Sequence, residues 1–159
     1  MPLLIFMGAP HNGLANSALM TLVKGKASES LIEELGPGSP TLRNLRFKFD
    51  DIAQNIRVLS IFERRETPTA IEVMNPNTKN FVADALQKNG KWVREGPPVM
   101  MVEKQNAVTY LPHETRISAD TDHRGISKLR HTDGGTYGPI KRAIGNVLDN
   151  NYRGSMVFE

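Results

Sequence analysis

Leu3-Leu4-Ile5-Phe6-Met7 runs directly into Gly8-Ala9-Pro10-His11-Asn12-Gly13 at the very start of the chain. An unbroken apolar run that ends in small residues and a proline reads as a buried strand delivering a loop to the carboxyl edge of a sheet, where α/β folds keep their chemistry. A strand of that kind rarely opens a fold, so its position constrains the architecture more than its composition does. The pattern predicts a strand over 3–7 that wants neighbours on both sides.

The rest of the chain alternates. Leu14, Ala18, Leu19, Leu22 and Val23 have helical spacing, and a second short helix is predicted over 28–35, stopped by Gly36-Pro37-Gly38. Ser39-Pro40-Thr41 opens a third helix whose apolar face is Leu42, Leu45, Phe49, Ile52 and Ala53. Residues 56–62, Ile56-Arg57-Val58-Leu59-Ser60-Ile61-Phe62, are β-branched and aromatic and read as a strand that ends at Glu63. Residues 66–98 are the weak stretch, with turn residues Asn75-Pro76-Asn77 and Gly96-Pro97-Pro98 around a helix expected at 80–88; this stretch reads as an insertion, a cap or a disordered loop. Val99-Met100-Met101-Val102 is the third strand candidate. Ile140, Ala143, Ile144, Val147 and Leu148 mark a closing amphipathic helix over 137–148.

Strand, helix, strand, insertion, strand, loop and helix is the rhythm of a parallel sheet flanked by helices. The expected fold class is therefore α/β, one partial domain over 1–150 with a carboxy-terminal tail at 151–159, and strands 3–7, 56–62 and 99–102 as parallel neighbours. Only about three strands are present, so the chain reads as half of a fold.

Composition excludes several functions. Twenty basic residues against 17 acidic give a net charge of +3. The charge is too even and too scattered to imply nucleic acid, and Arg64-Arg65 and Lys141-Arg142 are isolated pairs on solvated faces. The absence of cysteine excludes disulfides and thiolate zinc sites and suits a reducing, intracellular and cytoplasmic setting. Residues 2–9 are too short to span a membrane, and no basic region precedes them as a secretion signal requires.

Few residues can carry chemistry. Asp122-His123-Arg124 lies in a polar loop before the last helix, where an imidazole faces either a cleft or simply solvent. Glu63 ends a nearly all-apolar strand, which puts its carboxylate either at the mouth of the sheet or in a surface ion pair with Arg64 or Arg65. His113, His123 and His131 lack the close paired spacing of a helical zinc site, so no metal is expected. No glycine-rich phosphate loop is present, no cofactor is expected, and Gly134-Gly135 reads as a turn.

An acid after one strand and a histidine after the next is the order in which α/β-hydrolases supply two of their three catalytic groups, with the serine earlier. The segment from Ile5 to Gly13 resembles the phenylalanine-leucine-glycine-threonine-proline-histidine-arginine-glycine stretch just after the nucleophile in lipase-like α/β-hydrolases. Val102-Glu103-Lys104-Gln105-Asn106-Ala107 and the run from Ala119 to Lys128 resemble two later signatures of one branch. That branch is the serine-active-site-containing lipase-like family, abundant in filamentous fungi and often fused to NACHT-type NTPase and repeat domains. Ala9 and Asn12 depart from its usual threonine and arginine, and 66–98 is longer than its usual connection.

The resemblance implies the carboxy-terminal half of an α/β-hydrolase fold, with parallel strands and flanking helices. It implies that His123 is the catalytic histidine, Glu63 the acid that orients it, Glu103 the alternative acid, and His11 a pocket residue. No Gly-x-Ser-x-Gly elbow occurs around any serine of the chain, so the nucleophile is expected upstream of Met1. The implied activity is hydrolysis of an acyl ester or lipid-like substrate, absent from this chain alone. The alternative is a non-catalytic interaction or signalling module at one end of an NTPase-containing protein.

Overall fold

The computed structural model describes residues 2–15, 17–73, 91–128 and 136–155. The central element is a three-stranded parallel sheet in the order β1-β2-β7, formed by β1 (Leu3–Met7), β2 (Arg57–Glu63) and β7 (Glu114–Ala119). In register, Ile5 lies opposite Leu59 and Met7 opposite Ile61, and on the other side Ile61 lies opposite Ile117 and Glu63 opposite Ala119. The chain is thus an α/β protein, and the first two predicted strands pair in parallel as expected.

Alternation along the strands sends side chains to two faces. On one face Leu59, Ile61 and Ala119 form a buried cluster with Ile126 and Ile140, joined by Leu3, Ile5, Met7, Ile117 and Ala143. Ile140 and Ala143 belong to the long closing helix, Tyr137–Ser155, which extends past the predicted end at 148 and into the stretch read as a tail. On the other face Phe6 meets Phe49 edge-to-face at 5.7 Å. Phe49 lies on α3 (Pro40–Ile52), which starts as its sequence dictates. Ser39 Oγ accepts from Leu42 N at 3.3 Å and Pro40 fills the first turn, where its missing N–H costs nothing. Two short helices, α1 (Ser17–Val23) and α2 (Glu29–Glu34), lie between β1 and α3.

The third strand is not where the apolar run pointed. Val99 pairs antiparallel with Thr67 in a two-residue ladder, β3 (Thr67–Pro68) against β6 (Pro98–Val99). A second ladder joins β4 (Ile71–Val73) to β5 (Lys91–Val93). Hence the described ends of the 66–98 stretch form an antiparallel arm. The helix expected at 80–88, the turn at 75–77, His131 and Gly134-Gly135 lie outside the described residues. Val102 is fully buried for a different reason: with Leu14 and Ala107 it makes a second small core, to which Phe62 and Met101 also pack. It leads into α4 (Lys104–Ala107).

Among the described residues β1 is terminal in the sheet, with no strand on its outer side, and each of its five residues is only half-buried. Beside it α3 exposes Leu45, Phe47 and Ile52, at 58%, 65% and 68%. An unpaired apolar edge is a template for association. The 159-residue chain is therefore expected to self-associate in sedimentation velocity, with the larger species growing with concentration. A single monomeric boundary at all concentrations would contradict this reading of the edge.

Candidate functional site

β2 carries Glu63 to the carboxyl end of the sheet, and β7 beside it ends at Ala119 and leads into the loop bearing His123. Because the two strands are parallel and adjacent, both groups emerge at the same edge. The loop is tied to the chain after Glu63 at several points. Arg64 N donates to Ala119 O at 3.1 Å and Arg65 N to Thr121 O at 3.1 Å, while the exposed Arg65 guanidinium grips Asp120 at 2.7 and 3.0 Å. His123 N donates to the buried Thr67 Oγ1 at 3.0 Å. Asp122 Oδ1 accepts from Gly125 N at 2.8 Å and closes the turn that presents the ring.

These restraints bring His123 Nδ1 to 3.0 Å from Glu63 Oε2. The Glu63 side chain has no exposed surface, whereas that of His123 is 35% exposed. The other carboxylate oxygen, Oε1, accepts from Val102 N at 2.9 Å. The surface ion pair with Arg64 or Arg65 that the sequence left open is therefore not formed, since Glu63 points inward and Arg65 holds Asp120. Glu103 takes no part in the pair. It is exposed and its Oε2 accepts from Gln105 Nε2 at 2.7 Å.

The hydrogen bond to Glu63 holds the His123 imidazole above its ordinary pKa; burial works the other way, and the charges of Glu63 and Asp122 add to the rise. A ring whose Nδ1 donates to a fixed carboxylate keeps Nε2 free as the nitrogen that takes and returns a proton. Among the described residues, no hydrogen bond of His123 reaches a serine. Two serines have other work: Ser60 Oγ donates to Glu114 Oε1 at 2.6 Å, and Ser39 caps α3.

His11 lies on the other side of the sheet. Its ring meets Phe6 edge-on at 4.5 Å, and it lines a cavity of about 490 Å³ with Phe6, Leu42, Leu45, Phe49 and Ile52. Burial lowers its pKa, the Glu114 charge opposes this, and Arg46 reinforces it. Among the described residues its buried Nε2 has no hydrogen-bond partner, which favours the neutral ring. Arg46 shapes the same wall, donating to Asn12 Oδ1 at 2.7 Å and Thr109 O at 3.1 Å. The Glu114 carboxylate, whose side chain is inaccessible to solvent, collects Ser60, Thr109 N, Tyr110 N and Arg116. Burial works to raise its pKa, but these donors outweigh it and hold the carboxyl below its ordinary value.

The two histidines should give opposite pH signatures. His123 has a folded pKa above its unfolded one, so its contribution to stability is complete below the unfolded value and is lost as pH rises through the folded one. His11 has a folded pKa below its unfolded one, so it destabilises the fold as pH falls through that interval. Replacing His123 by Gln should therefore cost more stability on the acid side of the imidazole range than on the alkaline side, while His11→Phe should cost least on the acid side. Urea midpoints taken on both sides, with carboxylates still ionised, read the difference; equal slopes for the two variants would contradict it.

The sequence singles out Glu63 and His123, which the structure brings together, but gives no sign of what holds them. Thr67 sits in the stretch read as an insertion, and the Val102 contribution is a backbone N–H that no side-chain pattern announces. The Asp122 to Gly125 spacing was a usable signal, since an aspartate three residues before a glycine suits a side-chain-closed turn. Among the described residues, no helix is long and apolar enough to cross a membrane. No family model, curated protein or solved structure matches this chain.

Proposed function

We propose that Glu63 and His123 are the acid and the base of a serine ester hydrolase of the lipase-like α/β type, of which this chain is the carboxy-terminal half. The observation that carries the reading is the 3.0 Å bond from His123 Nδ1 to a fully buried carboxylate at the carboxyl end of a parallel sheet. In this scheme a serine supplied by a segment beside β1 attacks an acyl ester or lipid-like carbonyl. His123 Nε2 takes its proton and gives it to the leaving alcohol, and Glu63 fixes the tautomer. The outer edge of β1, which no strand among the described residues pairs, supports the placement of that segment. A cytoplasmic setting, and fusion to NACHT-type NTPase or repeat domains, belong to the same proposal.

A second reading is favoured by one observation, the exposed apolar side chains Leu45, Phe47 and Ile52 on α3, which suit a non-catalytic interaction module. A serine-directed fluorophosphonate probe separates the two. The 159-residue chain should remain unlabelled, because a serine hydroxyl without an adjacent base is a poor nucleophile at neutral pH. A version extended upstream to include a Gly-x-Ser-x-Gly elbow should label at that serine. Stoichiometric labelling of a serine within the 159 residues would overturn the assignment, and an upstream segment with no elbow would favour the interaction module.

A further inference from the structure

His123 is held at Nδ1 by Glu63 and at its backbone N by Thr67, and its ring lies beside Gly8, just past β1. Gly8 follows the last residue of that strand. A Cβ placed on Gly8 would lie 3.1 Å from His123 Nδ1 and 3.2 Å from Cε1, closer than side-chain atoms normally approach, and 3.5 Å from Ile126 Cγ2. The strand end cannot retreat easily, because Gly8 N donates to Ile61 O at 2.9 Å. Nor can the turn move away as a unit, since Ile126 is buried in the core cluster below the sheet. The ring must therefore give way, and the atom nearest the added carbon is the nitrogen that binds Glu63.

We propose that Gly8 is a positioning residue for His123, its missing side chain leaving the space in which the imidazole lies against the backbone just past β1 and reaches the Glu63 carboxylate. The conformation at Gly8, φ +61°, would by itself favour glycine, so the steric part has to be separated from the backbone part. Gly25 and Gly38 provide the control, having φ of +72° and +79° and nothing within 4 Å of a built Cβ. Alanine at either one imposes a similar backbone cost without touching the ring. The catalytic meaning of the contact rests on the hydrolase reading, but the contact itself needs no nucleophile to be tested.

The test is proton NMR on the 159-residue chain. In the unsubstituted protein a nuclear Overhauser effect is expected between a Gly8 Hα and His123 Hε1, and its absence would overturn the proposal whether or not any variant folds. In Gly8→Ala the His123 titration midpoint should fall, because the Glu63 bond that raises it is stretched. In Gly25→Ala and Gly38→Ala it should stay where it is. A folded Gly8→Ala protein with an unchanged His123 midpoint, or a control that lowers the midpoint equally, would overturn the positioning role. Failure of the hydrolase reading would instead show as absent ester turnover in the upstream-extended protein with these midpoints behaving as expected.

Discussion

In a version of the protein extended upstream to include the serine elbow, His123→Ala should lower kcat for ester hydrolysis by about a thousandfold or more, the scale of loss when a triad base is removed. The expectation follows from geometry. His123 is the imidazole at the carboxyl edge whose Nδ1 is engaged by a buried carboxylate, so Nε2 is left for proton transfer. KM should change little, since a base acting in the transition state contributes little to binding the ground state. His11→Ala should behave differently, disturbing the cavity wall and the Phe6 contact without removing a proton shuttle. Steady-state turnover of a short-chain aryl ester measures both. A His123→Ala protein of undiminished activity would end the assignment.

The second large effect is a split between two substitutions of Glu63. Leucine removes both acceptor oxygens, leaving the buried Val102 N–H without a partner and His123 Nδ1 without its carboxylate, a loss of about 2–4 kcal/mol in stability. Glutamine keeps an oxygen for Val102 and should be far milder in denaturant unfolding. In the extended protein, however, Glu63→Gln should be nearly as damaging to turnover as the loss of the base. An amide NH₂ facing Nδ1 makes that nitrogen an acceptor and moves the ring proton to Nε2, the nitrogen that must be free to accept from serine. Equal stability loss for both variants, or normal turnover in Glu63→Gln, would contradict this division of roles.

Which elements were readable follows from how each is buried. β2 is covered on both faces, so its sequence is a nearly continuous apolar run, and α3 announces itself through Ser39, Pro40 and a regular apolar face. β7 was not readable for the opposite reason. As an outer strand of the sheet it opens on three polar residues, Glu114, Thr115 and Arg116, and with only Ile117 and Ala119 on either side of Ser118 it offers too few apolar residues to stand out. Val99 to Val102 did stand out, but its apolar residues serve a hairpin end and the small core around Leu14 and Ala107. An apolar run of four residues reports burial and does not distinguish a strand from a packed connection.

The pairing of Glu63 with His123 was legible because it depends only on strand order: two groups placed at or just after the ends of neighbouring parallel strands share an edge whatever the loops do. That the outer strand is 114–119 and not 99–102 leaves this intact, since His123 then follows its strand by only four residues. The supports were not legible. Thr67 lies in a hairpin with no periodic signal, and Gly8 contributes the absence of a side chain.

The most direct test of the account is the tautomer of His123 in the 159-residue chain, read from its imidazole nitrogens by ¹⁵N NMR on the alkaline side of its titration. A ring that donates to Glu63 must carry its proton on Nδ1, so the expected spectrum shows Nδ1 protonated, Nε2 bare, and reversal of the two in Glu63→Gln. A His123 ring protonated on Nε2 in the unsubstituted chain, or one indifferent to Glu63→Gln, would contradict the claim that these two residues form an acid and base pair.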